Sequence, residues 1–391
     1  MSERLWNTNY LRAWSANFML NFSFMVLMPV LPLYLKEQFG TDKDTIGMVL
    51  SGYALTALLT RPFSGYLVDR FPRKMVLLLS NLAYAFFFGG YMVAGSLLCF
   101  FILRTMHGAP MGLVTVSNST MAIDVLPSSR RAEGIGYYGL ANNLSSAISP
   151  LLGLMTYELT GNFQLLFCMA LVASGLALII NSTIRPPVRE QQINKQPISL
   201  DRFFLTKGWA LSICMTCFAM SFSVLSTYLA IYGKEQLGMT SASGWFFTLL
   251  SIGLFSSRLI GARQLRLGRL AESATLGIIT SACGYVLFAL VQHPMATYAS
   301  ALIIGLGNGH MFPAFQNMFI NLGRHNQRGT ANSTLLSAWD LGIGLGIIAG
   351  GFCIEHAGYQ AAFLTGAVVN VAGALFFLGH ARQHFQRWKL R

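Results

Sequence analysis

Charge is scarce in this 391-residue chain: Asp, Glu, Lys and Arg together make up 10% of it. A soluble domain carries about 25%, so these few charges cannot cover the surface of a soluble protein of this length. Acids are scarcest, 14 against 27 Lys and Arg. The six cysteines (99, 168, 214, 217, 283 and 353) all lie in or near apolar segments. Cys214 and Cys217 have the spacing of a redox or metal pair, but no second Cys pair or His cluster accompanies them, so helix packing accounts for them and no metal site is expected. The sequence has no phosphate-binding loop, no nucleophile elbow and no soluble signalling segment. These absences argue against an enzyme or a membrane receptor, and against ATP as an energy source within the chain. No cleavable signal peptide is expected, because the first apolar run follows a polar start and has no small-residue cleavage motif.

What the chain does have is apolar length. Hydrophobic residues make up 54% and the mean hydropathy is +0.53. Runs of about 18 or more such residues read as membrane-spanning helices. Barrel strands would alternate apolar and polar positions, and segments such as GSLLCFFIL (95–103) do not. The spacing predicts twelve spans, at about 11–35, 45–67, 75–94, 97–121, 134–157, 163–183, 208–232, 242–262, 272–291, 294–318, 328–353 and 359–380. The fold class is an all-α polytopic membrane protein. Its longest polar stretch follows the sixth span and contains RPPVREQQINKQPISLDR (185–202). It divides the chain into a bundle over 1–184, a linker over 185–206 and a second bundle over 207–391.

Lys and Arg set the sidedness. With both termini cytoplasmic, 21 of them fall on the inner side, and only Lys36, Lys43 and Lys234 fall on the outer side. Arg61, Arg104 and Arg258 stay within or at the edge of the membrane. This bias accounts for the formal charge of +13 without nucleic acid as a partner. The expected place is the cell membrane, with the lipid bilayer as solvent.

The two halves also repeat each other. YLKEQFG (34–40) returns as YGKEQLG (232–238), 198 residues later. Arg61 matches Arg258, Arg131 matches Arg328, and Gly108 and Gly112 match Gly305 and Gly309, all 197 apart. A six-helix bundle duplicated in parallel is one transporter plan, with the substrate site near the bilayer midplane between the halves.

Between the second and third spans the chain reads GYLVDRFPRK (65–74). Gly65, Asp69, Arg70, Arg73 and Lys74 resemble the signature loop of the major facilitator superfamily, with Pro72 where that family often has Gly. The resemblance extends over the whole chain and implies two pseudo-symmetric six-helix bundles that rock about a central site. It also implies a gating latch, with Asp69 docking on the start of the eleventh span and Arg73 pairing with Asp124 at the inner end of the fourth. In the fourth span, Arg104, Gly108 and Gly112 resemble the motif of proton-coupled members, with His107 where Gln is frequent. In the fifth, Gly134, Gly139 and Ser149-Pro150-x-x-Gly153 match the antiporter motif in part, which favours export.

Asp340 stands alone as an acid deep in a span, and its repeat mate is Asn143. An ionisable residue inside a membrane is a functional candidate by default, so Asp340 is expected to carry or sense a proton and Arg104 to modulate it or bind an anionic group. Asn17, Asn21, Tyr138, Asn142, Asn143, Tyr228, His310, Gln316 and Asn317 are the polar residues placed to line a cavity. The expected function is proton-driven export of a small, partly apolar molecule or drug by a monomer. No cofactor is expected, and the proton gradient supplies the energy. An uptake permease for a sugar, organic acid or similar metabolite is the alternative. Asp69→Asn is expected to weaken transport while leaving membrane insertion intact. Unchanged transport by that variant, measured beside its yield in membranes, would remove the latch.

Overall fold

Helices in this chain begin where a polar side chain can cap them. Asn7 accepts from the Tyr10 amide, Asp42 from Thr45, Ser96 from Cys99 and Asn162 from Gln164 and Leu165, which satisfies amides that a first turn leaves without partners. The computed structural model describes residues 5–127, 130–185, 204–236, 238, 241–266, 269–291, 293–323 and 327–390. Residues 186–203 of the expected linker and the side chains of Asp69, Arg131, Arg258 and Arg328 lie outside the described residues.

The first bundle comprises α1 (Thr8–Met25), α2 (Leu31–Phe39), α3 (Lys43–Arg70), α4 (Arg73–Met92), α5 (Leu97–Asp124), α6 (Arg131–Thr160) and α7 (Phe163–Ser182). The second comprises α8 (Trp209–Gln236), α9 (Ser241–Arg266), α10 (Leu270–Leu290), α11 (Pro294–Leu322) and α12 (Arg328–Phe376), with a π-turn (Phe377–Ala381) and α13 (Arg382–Trp388) at its end. Twelve crossings result. The first is not one helix as expected: Pro29 cannot donate to the helical ladder, and α1 and α2 are separated by a turn over 26–30. The last two share the long α12, which doubles back at Gly358, where φ is 84°.

Gly358 belongs to a pattern. Among the described residues the positive-φ glycines are Gly40, Gly161, Gly238 and Gly358. They form two repeat pairs, 198 and 197 apart. Each closes a helix at the same end of the molecule, the end that the charge bias makes the outer one. A left-handed turn at a helix terminus strains any residue with a Cβ, so glycine takes it.

Packing repeats with the sequence. A Cβ on Gly108 of α5 would overlap the Tyr53 carbonyl of α3, and one on Gly305 of α11 would overlap the Leu250 carbonyl of α9. One turn on, a Cβ on Gly112 would stand 3.1 Å from the Ala57 oxygen, and one on Gly309 would stand 2.9 Å from the Leu254 oxygen. Every one of these partners lies 197 residues from its counterpart. Small residues let helices approach closely where lipid supplies no hydrophobic drive. The halves meet along α3 with α12 and along α6 with α9, the same second-to-fifth span contact made twice across a pseudo-twofold axis.

Gly108→Val and Gly305→Val should therefore cost similar amounts, about 1–3 kcal/mol each for overpacking. The apparent melting temperature in detergent checks this. A penalty confined to one half would contradict equivalent packing.

Candidate functional site

The site is assembled where the halves touch. Asp340 lies at mid-length in the first arm of α12, and Arg61 reaches it from α3. Arg61 Nε donates to Asp340 Oδ2, and Nη2 donates to Oδ1 at 3.2 Å. The two side chains are 10% and 12% exposed, so the pair is largely desolvated. Removing one partner of such a pair leaves an uncompensated charge, at a cost of about 3–5 kcal/mol. Close side-chain packing flanks the pair, with the Ala54 Cβ of α3 3.5 Å from a Cβ position on Gly344 of α12.

A second cluster lines the first bundle. Asn142 Oδ1 accepts from both Asn17 Nδ2 and Asn21 Nδ2 at 2.6 Å. Asn118 Nδ2 donates to the Tyr138 hydroxyl at 2.8 Å and reaches Asn17 Oδ1 at 3.5 Å. The network joins α1, α5 and α6. It brings together Asn17, Asn21, Tyr138 and Asn142 and adds Asn118, which the sequence reading missed. Neighbouring Asn143 keeps a buried Nδ2 without a partner.

The outer end is tied by the repeated heptapeptides themselves. Lys36 of the first copy pairs with Glu235 of the second, and Glu37 of the first with Lys234 of the second at 2.5 Å. Lys43 Nζ lies 3.5 Å from Glu235. The Tyr157 hydroxyl donates to Glu37, and that of Tyr359 donates to Glu235 at 2.7 Å. Lys234 Nζ donates to the Tyr157 oxygen at 2.6 Å, and the Lys43 amide to Glu355 at 3.0 Å. Burial and the neighbouring Lys43 ammonium hold Lys36 below the ordinary lysine value. Below this clasp, Thr248 Oγ1 of α9 donates to the Ala147 carbonyl of α6 at 2.9 Å. The halves are thus joined from the clasp down to Arg61–Asp340.

Other expectations divide. Arg73 Nη1 lies 2.6 and 2.5 Å from the two Asp124 oxygens, the pairing that the signature loop implied. The Asp69 half of that latch falls on a side chain outside the described residues. Gly65 faces open space, exposed Arg70 contacts Tyr66, and Lys74 is half-buried. Tyr228 does not line a cavity: it is fully buried and donates to the Ile347 carbonyl at 2.7 Å, joining α8 to α12. Asn317 is exposed and bonded to its own helix at Pro313, and Gln316 donates to Asn332 at 3.0 Å. His310 Nδ1 faces the Leu306 carbonyl at 3.0 Å. These three sit in the second bundle, apart from the asparagine network. Arg104 makes no pair with Asp340; its polar contact is the Tyr91 hydroxyl at 3.4 Å. Sequence reading placed Arg61 in the membrane but did not join it to Asp340. Its one available signal was that a lone deep acid needs a cation. Among the described residues, no group of three or more His, Cys, Asp or Glu is placed to hold a metal ion.

Comparison with known proteins fits this architecture. The sequence model described as Major Facilitator Superfamily matches residues 13–322 and 259–389. The chain is 26% identical over 388 residues to the multidrug resistance protein MdtG of Dickeya zeae, covering 95% of this chain and 94% of the relative. It is 24% identical over 359 residues to the staphylopine export protein of Staphylococcus aureus, covering 88% and 89%. Among solved structures, it resembles the peptide transporter POT in complex with sulfate, with a TM-score of 0.77 at 16% identity over 97% and 96% of the two chains. It also resembles the human organic anion transporter MFSD10, with a TM-score of 0.72 at 18% identity over 94% and 98%. At these identities the structures speak for the fold.

The clasp is open to a direct test. Ser51 lies on the α3 face toward α12, one turn from Gly47, whose Cβ position is 2.9 Å from the Ile347 oxygen. In a cysteine-free background, a Ser51→Cys probe should react slowly with an impermeant maleimide added from the outer side. Lys36→Glu should speed the reaction several-fold, and Lys36→Glu with Glu235→Lys should slow it again. Equal rates in all three proteins would show that the clasp does not hold the outer end shut.

Proposed function

The chain belongs to the Major Facilitator Superfamily, and from that premise we propose that it is a proton-coupled exporter of a small, partly apolar molecule or drug. It is a multi-pass membrane transporter and not an enzyme. The observation that carries the finer reading is the Arg61–Asp340 pair. It crosses the boundary between the halves, and Asp340 is the acid within the described spans that can gain a proton there. Protonation neutralises one partner and removes the Coulombic part of the tie. A proton taken from or released to one side then changes how strongly α3 holds α12. A ligand shifts a two-state equilibrium only through its different affinity for the two states, and a proton on Asp340 meets that condition because the pair exists in one arrangement and must be altered in the other.

Export is the direction favoured by the partial antiporter motif in α6 and by the relatives named for multidrug resistance and staphylopine export. The asparagine network of α1, α5 and α6 offers uncharged hydrogen-bonding groups to substrate. The excess of Lys and Arg assigned to the inner side supports cytoplasmic termini and insertion in the cell membrane. The energy source in this reading is the proton gradient alone.

The test is transport of a fluorescent efflux dye in proteoliposomes with an imposed pH gradient. Wild-type protein should move dye in response to the gradient, and Asp340→Asn should lose that response while still exchanging dye down its own gradient. A typical coupling is worth roughly 5–150-fold, so the loss should be plain. Wild-type transport that ignores the gradient would end the proton-coupling reading.

A further inference from the structure

Arg104 is the buried charge that this mechanism leaves over. It is 5% exposed, yet no carboxylate among the described residues pairs with it, because Asp340 is taken by Arg61. Its guanidinium carbon stands 4.1 Å from the Tyr53 ring centroid and 6.0 Å from that of Phe24. Such cation–π contact offsets part of the cost of burying a cation. It does not satisfy the donors: Nε has no partner, and Nη1 makes only the long contact to Tyr91.

The polar atoms around it are poorly satisfied too. The hydroxyls of Tyr53 on α3 and Tyr84 on α4, and Nε2 of His107 on α5, are buried and make no hydrogen bond of normal geometry; Tyr84 has only the side chains of Tyr53 and Ser23 near it, and His107 the Tyr84 backbone. The His107 ring lies 5.6 Å from that of Tyr53 and 4.6 Å from that of Tyr84, with its Nδ1 2.6 Å from the Tyr91 hydroxyl. Three helices thus place poorly satisfied polar groups beside one fixed positive charge with aromatic walls. Buried polar groups in native proteins are nearly always satisfied, so a buried cation with an unpartnered Nε beside three poorly satisfied polar atoms marks a place for a ligand. His107, Tyr84 and Tyr91 close the back completely, whereas Tyr53 and Arg104 keep a small exposed edge. Entry is from that edge.

We propose that Arg104, with the Tyr53 and Tyr84 hydroxyls, binds the anionic group of the transported substrate, a carboxylate carried on an aromatic or aliphatic body. A guanidinium fork matches a planar carboxylate in a bidentate manner, and the phenol hydroxyls donate to its remaining lone pairs. Phe24 and the Tyr53 ring receive the apolar body. The proposal deepens the transport reading by naming a substrate class, but binding itself requires no gradient.

The test uses the full chain in nanodiscs at equal pH on both sides. The probes are 2-naphthoate and decanoate, their uncharged amides, and the corresponding amines as cations, read by thermal shift and titration calorimetry. The carboxylates should stabilise the wild type, and the amides and amines should not. Arg104→Gln should weaken carboxylate binding about tenfold or more. Arg104→Lys, which keeps the charge and loses the fork, should fall between, and Tyr53→Phe should weaken binding several-fold. If Arg104→Gln fails to fold, the wild-type ranking of the three probe classes together with Arg104→Lys and Tyr53→Phe decides the matter. Equal response to all three classes, preference for the amines, or carboxylate binding untouched by these substitutions would overturn the proposal. Loss of gradient dependence in the dye assay with carboxylate selectivity intact would leave this site standing and remove only the proton as the energy source.

Discussion

A charge within hydrocarbon must find its partner inside the protein, and here it finds it across the boundary between two bundles. The Arg61–Asp340 pair is the point on which the rest of the architecture turns. Within one bundle it would be a local brace. Spanning α3 and α12, it makes one carboxylate part of the contact between the halves. Among the described residues, most other links between the halves are backbone approaches or hydrogen bonds, and the remaining charged links are gathered at the outer end.

Duplication sets the background against which that pair stands out. The close approaches at Gly108 and Gly305, the left-handed glycines that end helices, and the doubled contacts of α3 with α12 and α6 with α9 are nearly identical in the two halves. The heptapeptide repeat takes this furthest, because each copy neutralises the other: Lys36 and Glu37 meet Glu235 and Lys234. A pseudo-twofold axis makes such pairing reciprocal by necessity, since a Lys-Glu dipeptide facing its own copy in opposed order satisfies both charges. The position of Asp340 breaks the symmetry. Its counterpart is Asn143, which carries no charge, so the ionisable group stands on one side of a symmetric frame.

Much of this was legible in the sequence. Apolar length gave the spans, and fixed offsets gave the duplication. The Arg73–Asp124 pairing followed from the resemblance of the signature loop. The turn between α1 and α2 was missed because the run through Pro29 stays apolar, and hydropathy does not register a missing amide. The partner of Asp340 was missed because Arg61 lies 279 residues away, a separation that no local pattern spans. Arg104 was tied to Asp340 because both are charges deep in spans, but depth says nothing about facing. Tyr228 was read as lining a cavity on polarity alone, whereas its hydroxyl serves a carbonyl between packed helices. Sequence pattern exposes what repeats or is periodic; which of two buried faces a side chain takes is decided by neighbours far along the chain.

The central claim is that the ionisation of Asp340 governs the relative placement of the halves. The most direct measurement is the distance between spin labels on Gln38→Cys and Gln236→Cys, exposed repeat mates beside the clasp, in a cysteine-free protein reconstituted in nanodiscs and followed by pulsed electron resonance across pH. The account predicts a distance distribution that moves with pH in the parent and stands still when Asp340→Asn is added. A distribution in the Asp340→Asn protein that moves with pH as the parent's does would contradict it.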